Sequence, residues 1–110
     1  MTAAVRGTIT DCGTPIAAAE VVLRVQQDEP EQTRPVDARI GPVTTSREGR
    51  YLIEVGPAFA VPGPANVELR VTAGGVTQEI SGGTLEFRLG LPARDTLRLD
   101  ADLGQERGVC

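Results

Sequence analysis

The chain has 110 residues, 40 % of them hydrophobic but only 3 % aromatic, and a formal net charge of −4. That length holds one domain with a modest core, which must be built from Val, Leu, Ile and Ala. Dispersed acidic charge argues against a nucleic-acid or anionic-membrane partner, and no apolar run reaches the length of a membrane helix, so direct membrane insertion is not expected.

The first element is an alternating strand, with Val5, Gly7 and Ile9 on one face and Arg6, Thr8 and Thr10 on the other. Asp11 to Pro15 reads as a turn. Ala19, Val21, Leu23 and Val25 share the inner face of a second strand, with Glu20, Arg24 and Gln26 outside; Val22 falls on that outer face as well. Gln27–Pro42 carries three prolines and an acidic cluster and reads as a long loop. Extended chain resumes at Val43. Arg47 to Arg50 turns, with Gly49 suited to a positive φ, into a strand whose Tyr51, Ile53 and Val55 point inward.

Gly56–Ala65 is a second irregular stretch, in which Phe59 is placed to cover one end of the core. Val67, Leu69 and Val71 define the next strand. Ala73-Gly74-Gly75 signals a hairpin, and Val76 to Ile80 is its return. Ser81-Gly82-Gly83 reads as a break before a short strand of Leu85, Phe87 and Leu89. Leu97, Leu99, Ala101 and Leu103 against Arg98, Asp100 and Asp102 make one last amphipathic strand. No segment holds a sustained 3.6-residue period. The expected fold is therefore all-β: seven or eight short strands in two packed antiparallel sheets, one β-sandwich domain over residues 1–103, with 104–110 as a flexible polar tail.

Two segments carry a resemblance. Gly7, Ile9, Asp11, Gly13, Pro15, Ile16, Ala19, Val21 and Leu23 follow the pattern G-x-V-x-D-x-x-G-x-P-[IL]-x-x-A-x-V-x-L, with the Asp-to-Gly turn one residue short. Thr45, Gly49 and Tyr51 follow T-x-x-x-G-x-[YF]. The chain thus resembles the carboxypeptidase regulatory-like domain, a Greek-key sandwich related to transthyretin and to the B-type repeats of bacterial surface adhesins. The resemblance implies a structural or accessory module, sited outside the cell or in its envelope. The first five residues lack a secretory signal, which points instead to the cytoplasm or to a numbering that begins after a removed leader. The matching positions (Gly7, Asp11, Gly13, Pro15, Ala19, Gly49, Tyr51) mark a fold and no active site.

The chain contains no His. Ser-His and Cys-His nucleophile pairs and His-built zinc or iron sites are absent with it. The hydroxyisourate hydrolases and intradiol dioxygenases, two transthyretin-like enzyme classes, depend on such residues. All eleven basic residues are Arg, so the Lys–Asn isopeptide crosslink of adhesin-like domains is ruled out. No cofactor is expected, and no enzyme activity. Cys12 and Cys110 leave three readings open: an internal disulfide, worth roughly 4 kcal/mol by chain entropy; a crosslink between copies; or two reduced thiols.

The remaining candidates have plainer alternatives. Asp28, Glu29 and Glu31 are a candidate hard-cation cluster but read more simply as a solvated loop. Asp95, Asp100 and Asp102 read as the wet face of the last strand, and Arg88, Arg94 and Arg98 as its counter-charge. Tyr51 and Phe59 are candidate sugar-stacking rings, Tyr51 more simply a core residue. The expected function is protein–protein contact within a larger assembly, self-association included, through sheet edges and the two long loops. The alternative is a glycan- or Ca²⁺-binding module appended to an enzyme or receptor.

Overall fold

Residues with alternating apolar side chains bury one row each, and two sheets facing one another give those rows a common interior. The computed structural model describes residues 3–27, 36–55, 63–87 and 95–110. Among the described residues, nine strands and one short helix follow in chain order: β1 (Ala3–Asp11), β2 (Thr14–Pro15), β3 (Glu20–Gln27), β4 (Val36–Thr44), β5 (Arg50–Val55), β6 (Gly63–Ala73), β7 (Val76–Phe87), β8 (Asp95–Arg98), β9 (Ala101–Asp102) and α1 (Leu103–Arg107).

The first sheet is built around β1. It pairs antiparallel with β5, with Val5 opposite Ile53 and Arg6 opposite Leu52. β2 folds back on its end, and β8 and β9 pair with it in parallel. The second sheet runs β4-β3-β6-β7, all neighbours antiparallel. Between them lie Val5 and Ile9 of β1, Val21, Leu23 and Val25 of β3, Tyr51, Ile53 and Val55 of β5, and Leu69 and Val71 of β6, all buried. Each fully buried Val, Leu or Ile contributes about 1.5–3 kcal/mol, which is how a nearly ring-free core holds a sandwich.

Several expectations need correction. The pairing is not antiparallel throughout: β8 and β9 lie parallel to β1, because alternation encodes which face is buried and not strand direction. The last amphipathic run is not one strand, since β8 stops at Arg98 and β9 starts at Ala101. At the gap, the Leu99 N–H donates to the Arg6 carbonyl, and its own carbonyl accepts the Tyr51 hydroxyl. Residues 36–42, expected in a loop, belong to β4, and residues 63–65 belong to β6; Asp28, Glu29, Glu31, Phe59, Arg88 and Arg94 lie outside the described residues.

Ser81-Gly82-Gly83 does not break its strand. Asn66 pairs with Thr84 and Glu68 with Ser81, so Gly82 and Gly83 together oppose Val67 as a β-bulge. A Cβ on Gly82 would press on the Val67 carbonyl at 2.7 Å, which explains glycine there. The tail is the largest departure: it forms α1 and is bonded to the first turn. A helix of five residues is too short to show a 3.6-residue period in sequence.

Candidate functional site

The outer face of the first sheet carries two unlike clusters, one at the C-terminal end of β1 and one at its middle. At the far end, β1 reverses into β2 through Cys12 (φ 47) and Gly13 (φ 84). Two consecutive positive φ values make the two-residue turn that suits a right-twisted hairpin, and the second of them explains Gly13. The backbone N–H groups of Cys12 and Gly13 then point outward together, and both donate to the carboxylate of Asp102, at 2.9 and 2.8 Å.

Asp102 accepts two further hydrogen bonds, from the Thr10 hydroxyl at 2.9 Å and from the Gln105 N–H at 2.9 Å. The last makes it the N-cap of α1. Its carboxyl is held well below the usual range, first by the Gln105 N–H, then by the Gly13 N–H, with Thr10 and Cys12 adding to them. Gly108, in the left-handed region, closes the helix: its N–H donates to the Gln105 carbonyl and that of Val109 to Gly104.

Cys12 and Cys110 form an internal disulfide with Cα atoms 5.4 Å apart, which decides among the three readings of the two cysteines. Arg107 reaches back to Asp11 at 3.3 Å. Gly104 is buried against both sulfurs, where any Cβ would collide with them. Asp11, Cys12, Asp102 and Cys110 bring four metal-type ligand atoms within 4.8 Å of one another. Their chemistry fits a clamp better than a cation site. The sulfurs are bonded to each other, Asp11 faces Arg107, and both oxygens of Asp102 already accept two hydrogen bonds each.

At the middle of β1, Arg6, Arg50 of β5 and Arg98 of β8 line a recess of about 260 Å³ with Gly7, Thr8 and Tyr51. The register places them: Arg98 lies directly beside Arg6, and Arg50 is opposite Thr8, diagonal to Arg6. Arg98 is paired with Asp100 at 3.1 Å, and Asp100 is itself held by the Thr8 N–H at 2.8 Å. Among the described residues, the Arg6 and Arg50 side chains have no carboxylate partner. Leu52, 54 % exposed, stands opposite Arg6 in the same row.

On the outer face of the second sheet, Arg24 holds Asp37 through two hydrogen bonds and Arg70 holds Glu79 on the neighbouring strand, while Arg39, opposite Arg24, has no carboxylate partner among the described residues. Each Arg lowers its partner's carboxyl, chiefly through the side-chain hydrogen bond.

The signature residues have structural tasks. A Cβ on Gly7 would collide with the Leu99 carbonyl, and one on Gly49 (φ 75) would meet the Ile9 carbonyl. Pro15 pairs opposite Thr10 and Ala19 is buried. Thr45 is buried too, donating to the Ile16 carbonyl and accepting the Ala19 N–H. Tyr51 is a core residue with its hydroxyl on Leu99, so it is not presented for sugar stacking, and burial raises its phenol well above the ordinary value. Sequence reasoning missed Asp102 and Gly104. The only hint was an Asp three residues before a polar Gln, too weak to read without the helix.

With this geometry in view, comparison with known proteins shows the fold. No protein-family model matches the chain, and no curated protein matches it. Solved structures do. Hydroxyquinol 1,2-dioxygenase from Pseudomonas putida DLL-E4 is 14 % identical, with a TM-score of 0.50 over 91 % of this chain. 3-Chlorocatechol 1,2-dioxygenase from Rhodococcus opacus 1CP is also 14 % identical, with a TM-score of 0.51 over 90 %. The dioxygenase domain of a dioxygenase–carbohydrate-binding protein fusion from Streptomyces sp. SirexAA-E aligns over 92 % of this chain at 14 % identity and a TM-score of 0.51. The likeness is one of fold alone. The chain spans 55 % and 59 % of the lengths of the first two enzymes and 79 % of the third.

Proposed function

We propose that this chain is a non-catalytic β-sandwich module, of the transthyretin-like Greek-key and carboxypeptidase regulatory-like kind, that acts by contact with another subunit or a neighbouring domain. The observation that carries this reading is the first sheet's outer face, where Arg6 and Arg50 lack carboxylate partners among the described residues, beside the exposed Leu52. Like charges set close together on a sheet repel, and guanidinium groups without a carboxylate gain when a partner supplies one. Further support comes from the absence of His in the whole sequence, which leaves no imidazole to act as base or ligand. The fold's occurrence as part of longer chains fits a module as well.

A photoreactive amino acid in place of Leu52, compared with one in place of Glu79 on the opposite face, tests the reading in the source cells. The expected result is one discrete crosslinked polypeptide from position 52 and none from position 79. Equal crosslinking from both positions, or none from either, overturns it.

A further inference from the structure

Resting on that reading, we infer that the recess of Arg6, Thr8, Arg50 and Arg98 receives an acidic polypeptide segment in extended conformation, its carboxylates seated on the guanidinium groups. Three observations converge on this chemistry. First, the charge balance is local and opposite to that of the molecule: three arginines line the recess, and among the described residues two carboxylates neighbour them, Asp100, which is bonded to Arg98, and Glu54, diagonal to Arg6 and paired with none of them, in a chain of net charge −4. A concave patch of one sign concentrates field and draws in the other. Second, the arginines divide by partner. On the second sheet Arg24 and Arg70 each have an acidic neighbour at bonding distance and Arg39 has none; on the first, Arg98 has Asp100, while the exposed Arg6 and Arg50 side chains have no carboxylate partner among the described residues. A guanidinium fork matches a carboxylate bidentately, so the missing partner is of that class.

Third, the spacing suits a strand-like ligand. Arg6 and Arg50 are diagonal neighbours, because Arg6 pairs with Leu52, two residues on from Arg50. Such diagonal positions lie about 7–8 Å apart. Side chains two apart on an extended peptide rise about 7 Å and point the same way. A segment with an acidic residue at every second position thus meets both arginines at once, while Asp100 keeps Arg98 oriented at the rim of the recess. Leu52 adds apolar contact in the same row.

The test is titration of the whole oxidised chain with a short, terminally blocked peptide alternating Glu and Ser, followed by amide chemical shifts and calorimetry. The same peptide with Arg for Glu, and inorganic phosphate, serve as the other arms. The expected result is shifts at Arg6, Thr8, Arg50 and Arg98 with the Glu peptide alone and an affinity that falls with salt. A loss of about a hundredfold is expected in Arg6→Gln/Arg50→Gln, about tenfold for each lost charge-assisted hydrogen bond. The matched Arg24→Gln/Arg70→Gln variant keeps full affinity. Absence of binding overturns the inference, as do shifts confined to the second sheet. So does phosphate that competes at equal affinity, which marks a small-oxyanion site. A crosslink at position 52 together with no peptide binding removes the acidic ligand and leaves the contact reading standing.

Discussion

The C-terminal end and the middle of β1 each gather polar side chains on the first sheet's outer face and use them in opposite ways. At the Cys12 end the chain's own groups answer one another: a carboxylate meets two turn amides, a hydroxyl and a helix terminus, and a disulfide seals them. At the middle, the Arg6 and Arg50 guanidinium groups have no answering carboxylate among the described residues. Internal satisfaction brings stability and leaves nothing to bind with. The unsatisfied cluster adds little to the fold and keeps its hydrogen-bonding capacity for another molecule.

If this division holds, stability and contact separate by position. The largest effect should come from the staple. Replacing both Cys12 and Cys110 by Ser frees a loop with a sequence separation of 98. Chain entropy then predicts a loss of roughly 4 kcal/mol, read by urea unfolding, while shifts at Arg6 and Arg50 stay small. Gly7→Ala comes next. Its methyl group collides with the Leu99 carbonyl, and overpacking of this kind costs about 1–3 kcal/mol. Since Gly7 also lines the recess, this variant should lose stability and contact together; losing only one would contradict the shared geometry.

Asp102→Asn probes the clamp through acid. The carboxyl sits below its ordinary value in the folded chain, so its contribution is present above about pH 4, where the unfolded chain also ionises, and fades as pH falls below that. The wild type should therefore lose stability on acidification through that range, and the variant should show a flatter profile in thermal melts. Tyr51→Phe removes the hydrogen bond to Leu99, an expected loss of about 1 kcal/mol. Its phenol is raised on folding, so stability present below about pH 10 declines as pH rises beyond it in wild type, and less in the variant. Arg6→Gln should be the quietest in melting temperature, unchanged or slightly higher as a like-charge neighbour is relieved. A clear drop there would show that the arginines support the fold after all.

Much of the core was legible because period-two alternation is a property of the strand itself. Val5 and Ile9, Val21, Leu23 and Val25, Tyr51, Ile53 and Val55, and Leu69 and Val71 are all buried as their spacing requires. The hairpin at Gly74-Gly75 and the positive φ of Gly49 were legible for a similar reason, since only local geometry was at stake. What was hidden depended on distant partners. Nothing within Leu97–Leu103 states that β8 and β9 run parallel to β1, or that Asp102 leaves the strand pattern to hold a turn about ninety residues earlier. Gly82 and Gly83 looked like a stop because a bulge shows only against the opposing strand. The arginine recess was invisible as well. Of the basic patch read from sequence only Arg98 lies among the described residues, while Arg6 and Arg50 come from strands far apart in the chain.

The bond between Cys12 and Cys110 has one more consequence, and it concerns covalent topology. With those two sulfurs joined, the segment from Cys12 to Cys110 is a ring. A protease that cuts once anywhere between positions 13 and 109 opens the ring and releases nothing. Both pieces stay tethered through the sulfurs and remain in register, so a nicked molecule should migrate as intact without reductant and fall into two bands with it.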